Sequence, residues 1–237
     1  MITTGYPRSS ATRKTEIIDI ASGGITCSDL EDFPVGIYGG VGGNLQGTPV
    51  VCGGSLGYPT YSDKCYKFTT TGGWQEFASM KDKRNLAAGI VYNKKLHVFG
   101  GSDGSQYLQS SEIISEDGGV IDGPDLPTAV GGHAITAINS TVSILSGGNT
   151  NVNYASSQTW FYNHETVTFS SGPTLLEGRY GHASATIVDK VTKAKIPVVT
   201  GGWDGDYMDS TEFLIDGQWQ TGKIQCRKQN IFLDLLL

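Results

Sequence analysis

The chain has 237 residues, of which 33 are glycine, and a formal net charge of −6. An acidic chain with a pI near 5.1 lacks the basic surface of a general nucleic-acid binder, so we expect no nucleic-acid partner. No apolar run reaches the roughly 18 residues of a membrane helix, so we expect no membrane insertion.

Glycine pairs recur along the chain at near-regular intervals. Their second glycines, Gly54, Gly101, Gly148 and Gly202, are 47, 47 and 54 residues apart. A degenerate copy opens the chain, where residues 1–6 align with residues 198–203 and place Gly5 before Gly54. A period of this size indicates a repeat architecture.

Each repeat contains the same series of predicted strands. Two apolar strands precede each glycine pair, and turns such as Asn93-Lys94 and Asn139-Ser140 join them as hairpins. A third strand begins ten or eleven residues after the second glycine, and a fourth contains Trp74 or Trp219. The prediction is an all-β chain of four-stranded antiparallel meanders, with second strands at 49–52, 96–99, 142–145 and 196–199 and third strands at 16–19, 64–67, 112–114 and 212–215.

The glycine pairs lie where the chain must turn sharply against a neighbouring strand. Glycine adopts positive φ without strain and lets two backbones approach closely. We therefore predict positive φ and close backbone packing at these pairs.

The repeat unit resembles the kelch repeat. The resemblance rests on segments such as Val98-Phe-Gly-Gly-Ser102 with Ser111-Glu112, and Val199-Thr-Gly-Gly-Trp203 with Thr211-Glu212. It implies a kelch-type β-propeller, with blades around a central channel. Two repeats depart from the pattern, because Cys65-Tyr66 and Ser157-Gln158 replace the acidic residue of the third strand. The resemblance implies about four complete four-stranded blades plus a partial blade within residues 1–222, at 1–35 (partial), 36–80, 81–127, 128–176 and 177–222, followed by a divergent C-terminal tail at 223–237.

Two expectations arise from the shortage of blades relative to the kelch family. Either the chain is a fragment of a longer kelch-like protein, or its tail, residues 231–237, closes the ring by pairing with the first blade. The resemblance extends to secreted invertebrate kelch-like proteins, which have cysteines at similar places.

Cys52 and Cys65 lie on predicted antiparallel neighbours in one repeat, joined by a loop of twelve residues. Cross-strand geometry favours a disulfide, and the alternative is a pair of buried free thiols. A disulfide indicates an oxidising compartment. Asn139-Ser140-Thr141 is a glycosylation sequon on a predicted hairpin tip. We expect an extracellular protein, with a cytoplasmic location as the alternative.

The sequence contains no pattern that indicates catalysis. His133 and His182 occupy the same register, which favours a structural role. No histidine pair has metal-ligand spacing, and there is no nucleophile elbow or phosphate loop. The aspartates in 203–209 lack the calcium-loop pattern. We therefore expect no enzyme activity, no metal and no cofactor.

The predicted function is protein–protein interaction through propeller loops. Loops on a rigid frame carry recognition, and Tyr, Trp and Arg are enriched at interaction hot spots. Tyr107 and Tyr154 follow their glycine pairs at the same offset of six residues, which predicts one shared face. The candidate partner-binding residues are Tyr58, Tyr61, Arg84, Asp103, Gln106, Tyr107, Asn151, Tyr154, Arg179, Tyr180, Trp203, Asp204, Asp206 and Tyr207.

Two alternatives remain open from sequence. A copper-radical enzyme of the galactose-oxidase type shares the propeller, but it needs a Tyr–Cys cross-link and two histidine ligands whose arrangement the sequence does not identify. The other is the substrate-recognition part of a ubiquitin-ligase adaptor, whose dimerisation and linker domains are absent from this chain.

Overall fold

The computed structural model describes residues 2–3, 13–19, 24–26, 30–69, 71–189, 191–225 and 234–236, and these residues form strands and loops without a helix. They separate into two units, Met1–Ala129 and Val130–Leu237, each built from antiparallel sheets. The all-β class predicted from sequence is therefore confirmed. Among these residues nothing resembles an apolar helix long enough to span a bilayer.

The first unit begins with the strands of the incomplete first repeat. They are β1 (Ile2–Thr3), β2 (Thr15–Asp19) and β3 (Gly24–Thr26). They pair in the order β1-β2-β3, with Ile2 opposite Glu16. The opening residues thus form an end of a second strand beside a third strand, as the internal alignment predicts.

The next repeat folds as a four-stranded meander with a short ribbon in the loop after its glycine pair. Its strands are β4 (Val41–Leu45), β5 (Thr48–Cys52), β6 (Ser55–Gly57), β7 (Thr60–Tyr61), β8 (Lys64–Thr69) and β9 (Gly73–Ser79). The sheet order is β4-β5-β8-β9, and β6 and β7 form the ribbon.

A second meander completes the first unit. Its strands are β10 (Ala88–Tyr92), β11 (Lys95–Phe99), β12 (Ser111–Ser115) and β13 (Val120–Asp122), paired in chain order. The predicted two-residue hairpin turn is confirmed, since Asn93 and Lys94 both have positive φ between β10 and β11. A core that includes Leu45, Leu96 and Ile114 packs this meander against the preceding one.

The second unit contains two further meanders. Its strands are β14 (Val130–Gly131), β15 (Ala134–Ala137), β16 (Val142–Ser146), β17 (Asn149–Thr150), β18 (Thr159–Asn163), β19 (Thr168–Ser171), β20 (Ala183–Val188), β21 (Lys195–Thr200), β22 (Thr211–Ile215), β23 (Gln218–Gln225) and β24 (Asp234–Leu236). The sheet orders are β15-β16-β18-β19 and β20-β21-β22-β23-β24, and β14 pairs with β17. Ile144, Leu175, Val199 and Trp219 form a core between the two larger sheets.

The C-terminal tail differs from one expectation. Strand β24 pairs with β23, with Leu236 opposite Lys223, and β1 pairs with β2. Residues 234–236 therefore extend the last sheet of the second unit, and the rest of the segment predicted to close the ring, 231–233 and 237, lies outside the described residues. Strand β23 also continues to Gln225, past the predicted propeller boundary at residue 222.

The glycine pairs have the predicted conformation. In each of the four complete repeats the first glycine has φ between 56° and 68° and the second between 94° and 104°. A Cβ on Gly53 would collide with the carbonyl oxygen of Arg84, and a Cβ on Gly147 would collide with that of Arg179. Both reasons for glycine, positive φ and close backbone approach, are therefore met.

The predicted disulfide between Cys52 and Cys65 is present. The two residues are register partners on β5 and β8, and both are fully buried. In the last repeat the same register position holds Thr200 and Thr211, whose hydroxyls lie 2.8 Å apart. The disulfide thus occupies a position that another repeat fills with a hydrogen-bonded pair.

That equivalence provides a test of the disulfide that uses the residues of another repeat. Replacing both cysteines by threonine should lower the free energy of unfolding by about 3 kcal/mol, because the unfolded chain loses its loop constraint. Urea unfolding of this variant, with reduced and alkylated wild-type protein for comparison, measures the difference. Recovery of two free, alkylatable thiols from protein made in an oxidising compartment would contradict the linkage.

Candidate functional site

The loops that follow the glycine pairs are closed in the same way in each complete repeat. A backbone N–H at the end of each loop donates to the carbonyl of the second glycine, in the pairs Ser62 to Gly54, Leu108 to Gly101, Ser156 to Gly148 and Met208 to Gly202. The residue immediately before the donor is Tyr61, Tyr107, Ala155 or Tyr207. The hydrogen-bond register thus makes three tyrosines structurally equivalent.

This register corrects the sequence-based pairing of Tyr107 with Tyr154. Tyr107 directly precedes the loop-closing residue, whereas Tyr154 lies one position earlier in a longer loop. Counting from the glycine pair fails because the loops differ in length. The equivalent of Tyr107 in the last repeat is Tyr207, which forms the corresponding bridge with Trp203.

In the first unit, the candidate residues of the two loops differ in exposure. Tyr58 is 80% exposed, and Tyr61 lies against Gly104 of the next loop, where a Cβ would collide with its ring. Asp103 folds the next loop, since its carboxylate accepts the N–H groups of Ser105 and Gln106 at 2.7 and 2.9 Å. Burial opposes ionisation of Asp103, but these hydrogen bonds outweigh it and lower its pKa. The carboxylate of Asp103 therefore stabilises its own loop. Gln106, in the same loop, is exposed.

In the second unit, three candidate residues form an aromatic cluster, which we define as Tyr154, Tyr180 and Trp203. The ring centroids lie 4.7 Å apart for Tyr154 and Trp203, 5.2 Å for Tyr154 and Tyr180, and 5.5 Å for Tyr180 and Trp203. All three pairs are edge-to-face, and the hydroxyls of Tyr154 and Tyr180 lie 3.2 Å apart. Such aromatic pairs stabilise by about 0.5–1.5 kcal/mol beyond their buried area, so the cluster is a preformed surface.

An open cavity of about 530 Å³ adjoins this cluster. It is lined by Tyr180, Gly181, Gly202, Trp203 and Tyr207. Tyr207 is 89% exposed, and the turn that joins it to Trp203 carries the exposed residues Asp204 and Asp206. Asn151, on the loop that contains Tyr154, is also exposed. Seven predicted residues from three segments of the second unit thus lie on or beside one surface.

Arg84 and Arg179 correct the predicted set, because both are buried and cannot contact a partner directly. Their side chains are fully shielded from solvent and pair with Glu112 and Glu212, at 2.9 and 2.7 Å. Arg84 also donates to the carbonyl oxygens of Gly100 and Ser110 at 2.8 and 2.9 Å. Each arginine therefore anchors the loop between two meanders to the third strand of the later meander.

The other two complete repeats replace this ion pair with apolar residues. The bridge partners of each repeat align Arg84 with Ile37 and Val130, and align Glu112 with Tyr66 and Trp160. Ile37, Val130 and Trp160 are buried, and Ile37 and Tyr66 belong to one apolar cluster. The strand register corrects one position predicted from sequence, because Trp160, and not Ser157-Gln158, replaces the acidic residue in that repeat. In both repeats the acidic residue and the arginine are absent together, which leaves no buried charge unpaired at this position.

Three buried histidines of the second unit have strongly lowered pKa values, and burial lowers the pKa of one of them, His164, to about 4. Burial lowers the pKa of His133 to about 4. Burial, with added repulsion from Arg179 and His133, lowers the pKa of His182 to about 3. The Nε2 atom of His182 lies 2.9 Å from Oγ of Ser146. The three imidazoles are therefore neutral groups of the interior at physiological pH.

Another open cavity, of about 570 Å³, lies in the first unit beside the Asn93-Lys94 hairpin turn. Its wall includes Lys94 and Lys95 as well as Glu116 and Asp117, so its charges are mixed.

Within the residues that the structure describes, no group of three or more histidine, cysteine or acidic side chains is arranged to hold a metal ion. Asn139 is exposed at the tip between β15 and β16, where the sequon requires it to be.

No protein-family model and no curated protein matches this chain. Among solved structures, the chain is similar to one described as "Structure of YjhT", with a TM-score of 0.75 over 93% of this chain and 82% of that chain. The identity is 11%, so the likeness concerns the fold alone. Together with the small antiparallel sheets and the absence of helix in the described residues, it fits a β-propeller-like fold.

Proposed function

We propose that this chain is a non-catalytic, kelch-type β-propeller module that binds a protein partner through the loops after its glycine pairs. The observation that carries the proposal is the aromatic cluster, together with the nearly fully exposed ring of Tyr207 beside it. Exposed aromatic groups held by a rigid frame are typical of interaction hot spots. Tyrosine and tryptophan provide large contact area at low entropic cost.

Two further observations support the kelch assignment and the location. Each of the four complete meanders carries a glycine pair with the same two backbone conformations, which agrees with four complete blades and a partial one. The Cys52–Cys65 disulfide is typical of proteins from oxidising compartments, and on this ground we propose an extracellular location.

Substitution of Tyr154 and Tyr207 together by alanine tests the binding surface. Tyr207 is 89% exposed, so its loss should change stability by about 0.5 kcal/mol or less. Tyr154 is 56% exposed, and its loss also removes two aromatic pairs worth about 0.5–1.5 kcal/mol each, so the Tm of each single variant is measured as well. If they belong to a hot spot, partner affinity should fall by about 2 kcal/mol or more. Capture by the immobilised chain, quantified by mass spectrometry, and the Tm of each variant are the measurements.

Val191→Ala is the matched control for this experiment. Val191 is 89% exposed in the turn between β20 and β21, at the opposite end of that hairpin from the glycine pair. Loss of capture in the double tyrosine variant, with Val191→Ala unaffected, supports the assigned surface. Undiminished capture by the double variant would move the surface to the hairpin tips at 93–94, 139–140 and 189–195.

A further inference from the structure

We propose that the aromatic cluster and the turn at 204–206 receive a cationic side chain, lysine or arginine, from a basic segment of the partner. This inference rests on the proposed function and specifies the chemistry of its partner. It combines three observations on the second unit: the rings, the charge of the loops and the space between them.

The rings provide the first part of a cation site. Tyr180 and Trp203 line the cavity, and Tyr207 lines it from the other side of the turn. A guanidinium or ammonium group is attracted to the face of tryptophan or tyrosine when it lies within about 6 Å of the ring centroid. Because the three rings of the cluster pack edge-to-face, their mutual contacts fix the rings before a ligand arrives.

The carboxylates provide the second part. Oδ1 of Asp204 accepts the N–H of Asp206 at 3.3 Å, and Oδ1 of Asp206 accepts the N–H of Tyr207 at 2.8 Å. In the described part of the chain, neither carboxylate has a basic side chain within 4.0 Å, unlike exposed Asp122, which pairs with Lys81 at 2.6 Å.

The surrounding loops contribute no compensating positive charge. The segment 149–155 of the neighbouring loop contains no charged residue, and 203–209 contains aspartates without lysine or arginine. Arg179 is buried against Glu212 and is therefore not available at this surface. The local charge is thus negative, and a cationic side chain is the complementary ligand.

The glycines provide the space. Gly181 lines the cavity, and Gly205 lies at the centre of the turn between the two aspartates. A Cβ on either glycine would have no atom within 4 Å. The space beside both glycines is therefore open to a ligand side chain.

Tryptophan fluorescence gives a direct readout of this site. Of the four tryptophans, Trp74, Trp160 and Trp219 are buried and Trp203 is half-buried. We would titrate the full chain with acetyl-Gly-Arg-Gly-Arg-Gly-amide and with its Glu counterpart. The arginine peptide should cause a saturable change that Trp203→Phe abolishes and that weakens at high salt, whereas the glutamate peptide should cause none.

Charge-neutral variants test the role of the turn. Asp204→Asn with Asp206→Asn should bind the arginine peptide about fivefold more weakly, as expected from losing two nearby charges at a solvated site. Asp189→Asn, which removes a carboxylate from the turn at the far end of the β20–β21 hairpin, should bind like wild type.

Three outcomes would overturn the inference: equal binding of the glutamate peptide, unchanged affinity of the Asp204→Asn/Asp206→Asn variant, or saturable binding of neutral maltohexaose without binding of the arginine peptide. Its failure is distinguishable from that of the proposed function. If Tyr154→Ala/Tyr207→Ala loses partner capture but Asp204→Asn/Asp206→Asn retains it, the interaction surface is supported and the cation site is rejected. Capture that survives in both variants rejects both.

Discussion

Replacing Glu112 by alanine should lower the free energy of unfolding by about 3–5 kcal/mol, because it leaves the Arg84 guanidinium buried without its counter-charge. Arg84 and Glu112 have fully or almost fully buried side chains. The glutamate also accepts the backbone N–H groups of Lys81 and Asp82, at 2.7 and 3.1 Å. The substitution thus removes both an ion pair and the anchor of the loop between β9 and β10. Chemical denaturation measures the free energy of unfolding, and the m-value should be the same in the variant and in wild type.

Asp82 offers a matched control on the same arginine. Its carboxylate lies 3.2 Å from Nη2 of Arg84, but its side chain is 43% exposed. Asp82→Ala should therefore cost less than about 1 kcal/mol, as for exposed ion pairs. In a double-mutant cycle, Arg84→Ala with Glu112→Ala should cost at least about 2 kcal/mol less than the sum of the single substitutions, because neither charge is then left alone. Additive losses would mean that the two residues do not act as a pair.

Acidification should destabilise the protein well above the pH at which ordinary carboxylates titrate. The pKa of His133 is about 4 and that of His182 about 3 in the folded chain, against about 6.5 when unfolded. Between these values the unfolded state binds protons that the folded state does not, so stability falls as pH falls from about 6.5 to 4. The shift of His133 alone corresponds to a loss of about 3 kcal/mol over that range. Thermal unfolding at pH 7, 6, 5 and 4.5 measures the slope.

Histidine variants identify the source of this slope. His133→Asn and His182→Asn should each be less stable at pH 7 but show a flatter pH dependence, because each removes one group that takes up a proton on unfolding. Asp103, Asp117 and Asp189 also have lowered pKa values, so they contribute only at lower pH, below the histidine window. His164, whose pKa burial also lowers to about 4, titrates in the same window, so His164→Asn completes the set. An identical slope in all three variants and wild type between pH 6.5 and 4.5 would show that the buried histidines are not the cause.

Local rules of chain geometry made the repeat and its strands predictable from sequence. The glycine pairs at 53–54, 100–101, 147–148 and 201–202 mark turns because positive φ is a property of glycine itself. The Cys52–Cys65 disulfide was predictable for a related reason, since two strands joined by a short loop are antiparallel neighbours.

Tertiary structure alone decided the roles of the arginines and of the loop aromatics. Arg84 and Arg179 lie in loops, where arginine is usually exposed, and their burial depends on glutamates 28 and 33 residues further along the chain. The aromatic cluster likewise joins Tyr154 to Tyr180, 26 residues away. Loop length set which tyrosines are equivalent, because the closing hydrogen bond, and not the distance from the glycine pair, fixes the register. The turns, the strands and the disulfide could thus be predicted from the residues, because they depend on local backbone geometry. Contacts between distant segments determined which side chains are buried and which are left for recognition.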